Sequence, residues 1–169
     1  MQTISPFLWF DDQAEEAAEH YVSIFKNSKI LGVSRYGEGA ARPVGTAMSV
    51  SFVLDGLELQ ALNGGPLFPF TEAISLFVTA PTQPEIDDLW EKLASGGEPG
   101  QCGWLKDKYG LSWQIVPPIL PELLADPDPA RSGRVLQAML GMGKLDIAAL
   151  RAAHDGQLPA NAVEPSGTP

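Results

Sequence analysis

Alternation opens the chain. Over Thr3–Phe10, Ser5, Phe7 and Trp9 fall on one side of an extended segment and Ile4, Pro6, Leu8 and Phe10 on the other, which predicts a strand covered on both faces. The period then lengthens: Ala14, Ala17, Ala18, Tyr21 and Phe25 recur at helical spacing up to about Asn27, with Asp12 as N-cap and Glu15 as the returning half of a capping box. Lys29–Tyr36 reads as a second strand, followed by a Gly-rich loop from Gly37 to Gly45. Thr46–Leu54 and Leu57–Leu62 form a hairpin around Asp55-Gly56, a dipeptide suited to a tight turn. Asn63-Gly64-Gly65-Pro66 closes this half with a turn, and Leu67–Phe70 leads onward.

The same order then repeats. A strand at Glu72–Thr79 precedes a helix from about Pro84 to Ser95, capped by Thr82 and Glu85 and striped by Ile86, Leu89, Trp90 and Leu93. Gly96-Gly97 stops the helix, a short strand is expected near Glu98–Gln101, and Trp104–Lys106 with Leu111–Val116 make a closing hairpin. Asp107 and Gly110 flank its turn and are read as structural, as are Lys106, Lys108 and Tyr109 around it. The fold class is therefore α+β, built from tandem βαβββ modules at 1–66 and 67–118, two strand-rich halves suited to enclosing a pocket. Past Pro117-Pro118, helical patterns at Leu120–Ala125, Gly133–Leu140 and Leu145–Ala153 define a C-terminal helical extension at 119–156, read as cover for a subunit interface or for one end of the sheet. A Pro/Gly/Ala-rich tail at 157–169 is expected to be disordered.

Charge narrows the partners. With 11 Lys+Arg against 21 Asp+Glu, the formal charge of -10 repels nucleic acid and anionic membrane surfaces and offers no basic stripe. No segment approaches the roughly 20 apolar residues needed to span a bilayer, and no basic residue precedes the first apolar run, so a cytoplasmic protein is expected. The single Cys102 has no partner for an intramolecular disulfide and is read as structural.

Taken together, Ile4–Asp12 (ISPFLWFDD) with Ala14-Glu15-Glu16-Ala17, Ala61–Pro66 (ALNGGP), Ala73–Leu76 (AISL), Glu85–Trp90 (EIDDLW), Gly96-Gly97 and Cys102–Pro117 resemble the vicinal oxygen chelate superfamily. This superfamily includes glyoxalase I, bleomycin-resistance proteins and extradiol dioxygenases. The likeness is greatest to its PhnB-like branch, often labelled 3-demethylubiquinone-9 3-methyltransferase, and spans roughly residues 1–150. The resemblance implies a paired βαβββ architecture of the glyoxalase/bleomycin resistance kind, in which the curved mixed sheet of each module forms half a cup, and a homodimer. The methyltransferase label finds no support in the residues, because Gly37-Glu38-Gly39 leads into Ala, Arg and Pro rather than into a helix that would cradle adenosylmethionine.

The resemblance also implies four metal-ligand positions on strands facing the cup, which fall near Ser5, Glu58 or Gln60, Ser75 and Gln114. Hydroxyl and amide oxygens leave a divalent cation's charge uncompensated, so no cofactor is firmly expected, and Glu58, Gln60 and Gln114 are the remaining metal candidates. A pocket without metal is the favoured reading. Phe7, Trp9, Phe77 and Trp104 supply apolar walls, and Ser5, Gln60, Asn63, Ser75 and Gln114 supply directional hydrogen bonds, a mixture suited to a small amphipathic or aromatic ligand. Two alternatives accompany it. One is a metal-assisted lyase, isomerase or dioxygenase; the other is a non-catalytic assembly or regulatory protein docking through Leu136, Met139, Leu140, Met142, Leu145 and Leu150.

Overall fold

The computed structural model describes residues 3–157, so all but the first residue of the tail expected to be disordered lies outside the described residues. The chain forms two compact units, divided between Glu72 and Ala73, each with its own mixed four-stranded sheet. The α+β class with tandem βαβββ units is what the alternation and its interruptions predict.

In the first unit the element order is β1 (Phe7–Phe10), α1 (Ala14–Ile24), β2 (Lys29–Arg35), β3 (Ala47–Leu54) and β4 (Leu57–Asn63). The spatial order is β1-β4-β3-β2, with β1 parallel to β4 and the other pairs antiparallel. Ala14, Ala17, Ala18 and Tyr21 of α1 pack against Val50, Phe52, Leu59 and Ala61, all at most 1 % exposed. Small residues on the helix let it lie close to the sheet, and the large side chains fill from below. The hairpin turn at Asp55-Gly56 has both residues at positive φ, as a tight turn demands.

Two local expectations fail in this unit. The first strand is shorter than Thr3–Phe10: its register with β4 runs over Phe7–Phe10, and the Pro6 carbonyl leads into it by accepting from Gln60 N at 3.0 Å. The capping box at Asp12 is absent: Gln13 occupies the N-cap with no side-chain cap, and Glu15 forms a two-pronged ion pair with Arg35 of β2 at 2.7 and 3.1 Å. Asn63, far away in sequence, satisfies the first helical N–H instead, its Oδ1 accepting from Ala14 N at 2.8 Å.

The second unit runs β5 (Leu76–Thr79), α2 (Gln83–Ala94), β6 (Glu98–Pro99), β7 (Trp104–Lys106) and β8 (Ser112–Val116), ordered β5-β8-β7-β6. Here too the first and last strands pair in parallel. The Thr82/Glu85 capping box is present, and Ile86 and Leu93 are fully buried with Leu105, Trp113 and Ile115. Three helices follow: α3 (Ile119–Leu124), α4 (Pro129–Leu140) and α5 (Ile147–His154). They close around a core of Val116, Leu120, Val135, Leu145 and Leu150, with Met139 and Met142 packed against it. This corrects the reading of these apolar residues as a docking stripe: only Leu136 and Leu140 of that set remain exposed.

The extension is also stitched to the sheet through polar contacts. Cys102 N donates to Met142 O at 2.7 Å and Gly103 N to Gly143 O at 2.8 Å. The Gln83 side chain, at the start of α2, donates to Leu145 O at 3.0 Å and accepts from Ile147 N at 2.9 Å.

Candidate functional site

Strand alternation gives each sheet one face against its packing helix and one without it. In the first unit that second face carries Phe7, Gln60 and Ser51 as direct cross-strand neighbours, then Trp9, Leu62 and Ser49 in the next row. Phe7 is 61 % exposed. Trp9 is held in place, its Nε1–H donating to Gly65 O at 2.8 Å and its ring meeting Phe68 edge-on at 5.0 Å. The Gly64 backbone lies so close beneath the Trp9 ring that a Cβ there would fall inside it. That contact gives the Gly-Gly turn its steric purpose.

The second unit repeats the row. Phe77, Gln114 and Trp104 are direct cross-strand neighbours, and Phe77 is 60 % exposed. Gln114 Nε2 donates to Ser75 Oγ at 2.8 Å, as Ser51 Oγ donates to Gln60 Oε1 at 2.6 Å in the first unit. Each unit thus presents one exposed phenyl ring on its outer parallel strand, beside a glutamine whose amide is oriented by a serine. Ser5 lies exposed just before β1, Ser75 half-buried just before β5, and Glu58 half-buried on the Gln60 face. Ser51 was not singled out from the sequence, although the alternation of Ser49, Ser51 and Val53 in β3 already puts it on this face.

Asn63 departs from the expected lining. It pairs with Phe10 on the face that packs against α1, is 4 % exposed, and uses its amide in both directions, accepting from Ala14 N and donating to Ala47 O at 3.0 Å. Its work is structural. Asp107 is likewise buried, and its carboxylate accepts from Tyr109 N, Leu111 N and the Trp113 Nε1–H at 2.9, 3.0 and 2.8 Å. Those bonds shape the β7–β8 turn, as expected of it. Ser112 is the remaining polar group on the Gln114 side of β8; it is 1 % exposed, and among the described residues its hydroxyl has no hydrogen-bond partner.

The donors at the four superfamily metal positions do not suit a tightly bound divalent cation. Two are serines and one is an amide held by Ser75; the fourth is either Glu58 or an amide held by Ser51. Among the described residues, no three His, Cys, Asp or Glu side chains gather to offset the charge.

Comparison with known proteins places this geometry. The family model described as 3-demethylubiquinone-9 3-methyltransferase matches residues 2–116. A Bacillus cereus structure, named as a PhnB protein and 3-demethylubiquinone-9 3-methyltransferase, shares 40% identity with a TM-score of 0.63, covering 69% of this chain and 99% of its own. A Pseudomonas aeruginosa protein (20% identity, TM-score 0.57, 69% and 98% covered) and a Listeria monocytogenes fosfomycin resistance protein (18%, 0.52, 72% and 94%) share the fold. No curated protein matches the chain.

Proposed function

Because this chain belongs to the 3-demethylubiquinone-9 3-methyltransferase family, in the PhnB-like branch of the vicinal oxygen chelate superfamily, we propose that it binds a small amphipathic or aromatic molecule at the Phe-Gln row that each unit presents. The observation that carries this reading is the repetition of the row. Large aromatic side chains left about three-fifths exposed at the same place in both units forgo the stabilisation of burial, and a ligand's ring would restore it. The serine-held amides beside them supply directional polar contacts without a net charge. A neutral, mixed surface of this kind favours ligands with one apolar face and a few hydrogen-bonding atoms.

Methyl transfer is not part of the proposal. The three strand-to-helix connections among the described residues, Asp11–Gln13, Ala80–Thr82 and Pro117–Pro118, lack the glycine that lets a backbone approach adenosylmethionine, and Gly37-Glu38-Gly39 leads into a turn between strands. Neither is tightly bound metal, on the donor chemistry above. A homodimer, the assembly implied by the superfamily, belongs to the same proposal, and sedimentation equilibrium measures it.

The test is a ligand-observed NMR screen of single-ring and fused-ring aromatic compounds, with elemental analysis of the same protein. Compounds should bind the native chain, and Phe77→Ala should weaken the best of them by about tenfold, the loss of one good aromatic contact. Gln114→Ala should weaken those that carry a polar substituent. Hits that bind both variants as tightly as the native chain would refute the site, and near-stoichiometric metal lost in Gln60→Ala and Gln114→Ala would restore the metal-assisted alternative.

A further inference from the structure

The family model ends at residue 116, and α3–α5 lie beyond it. These helices are joined at their far end by one imidazole. His154, the last residue of α5, has Nε2 2.8 Å from Asp126 Oδ2, in the α3–α4 connection, and Nδ1 2.9 Å from Asp155 Oδ1. Carboxylates only accept hydrogen bonds, and a neutral imidazole has a single N–H. Both contacts are hydrogen bonds only while the ring is protonated. On deprotonation, one ring nitrogen turns a lone pair toward a carboxylate oxygen.

We propose that α3–α5 form a pH-sensitive clasp on the second unit, closed by protonated His154 between Asp126 and Asp155 and loosened when that ring loses its proton. The surroundings agree. From the α3–α4 connection come Asp126 and Asp128, whose N–H donates to Asp126 at 2.8 Å; from α4 come Arg131 (3.9 Å from Asp126) and Arg134; α3 adds exposed Glu122, α5 carries Arg151, and Asp155 follows it as C-cap. Arg134 donates to Ala153 O and His154 O at 2.8 and 2.7 Å, so the end of α5 keeps one permanent tether and the change is a loosening rather than full release.

The hydrogen bonds that the ring donates to Asp155 and Asp126 hold the His154 pKa above its ordinary value, and the bonds from Asp128 N and His154 hold Asp126 below its own. For His154, with the folded value raised, the stabilisation is complete below the ordinary imidazole value of about 6.5 and is lost as pH rises through the folded value. For Asp126, with the folded value lowered, stabilisation is present above the ordinary carboxylate value and is lost as pH falls through the folded value. The clasp is therefore tightest between the ordinary carboxylate and imidazole values, in mildly acidic solution, and loosens as pH rises through the folded His154 value.

The clasp reaches the ligand row of the second unit. Leu145 and Leu150 pack on Val116, two residues beyond Gln114, and the Met142 and Gly143 carbonyls hold Cys102 and Gly103, which adjoin Trp104. The effect on ligand binding rests on the function proposed above; the clasp itself does not.

Hydrogen exchange of the full chain, with His154 followed by NMR from about pH 5.5 to about pH 9.5, separates the two because neither readout needs a ligand. Once corrected for base catalysis, α5 exchange should rise severalfold as His154 deprotonates, and the amides of Cys102 and Gly103 should follow. Asp126→Asn should lower the His154 midpoint, and His154→Gln, neutral at every pH, should exchange fast throughout with no step. A His154 titration that leaves α5 exchange flat would overturn the proposal, as would a native-like step in His154→Gln. Should His154→Gln fail to fold, native and Asp126→Asn profiles that share one midpoint would overturn it as well.

Discussion

Asn63 and Ser112 are both buried and polar, and the structure treats them in opposite ways. Asn63 has a partner on each side of its amide, while the Ser112 hydroxyl has none among the described residues. Removing a side chain that satisfies two buried backbone groups strands both, whereas removing an orphaned hydroxyl removes only a desolvation penalty. Urea denaturation should therefore show Asn63→Ala destabilised by about 3 kcal/mol and Ser112→Ala stabilised by about 1 kcal/mol. Equal losses in the two variants would mean that Ser112 has a partner after all. Asn63 also marks where sequence reasoning stopped. Its place after a strand rich in alternating residues suggested a ligand contact, and only the approach of α1, begun nearly fifty positions earlier, reveals it as the group that satisfies that helix. Asp12 and Glu15 carried the local pattern of a cap, but Arg35 on β2 competes for Glu15, and no local pattern records that competition.

At the scale of elements, the rows of side chains were legible where alternation is strict. Phe7 with Gln60 and Phe77 with Gln114 follow from a period of two once the strands are known, and the register confirms that each pair faces across neighbouring strands. Strand ends were less legible: Thr3–Pro6 and Glu72–Ser75 continue the apolar pattern without belonging to the strands that follow them. The turn after β4 controls its row sterically. Gly64→Ala would push the Trp9 ring off its seat and break the bond from Trp9 Nε1 to Gly65 O. The expected result is a red-shifted tryptophan emission and a cost of about 2 kcal/mol, with ligand affinity falling in step. Unchanged emission would show that the ring has room to move.

For the whole molecule, the pairing of helices with sheet was the part the sequence described least well. Periodicity identified Leu145 and Leu150 as apolar, yet not whether they faced inward or toward another protein, because both fates demand the same stripe. The structure turns them inward onto Val116. A chain ending after Pro117 would expose Val116 and strand the Cys102 and Gly103 N–H groups, so it should lose about 3 kcal/mol by urea denaturation although the Bacillus cereus relative is spanned by 69% of this chain. A truncated chain as stable as the full one would mark the helices as a passive addition. The parallel pairing of first and last strands has a consequence in time. Phe7 meets Gln60, and Phe77 meets Gln114, only when the two ends of a unit come together, so neither row exists in any partly made or partly folded intermediate that lacks this contact. Contacts this distant along the chain form slowly and late. The surface that would greet a ligand exists only once the first and last strands of its sheet have paired, so a ligand present during synthesis would find no complete row until that last strand had left the ribosome.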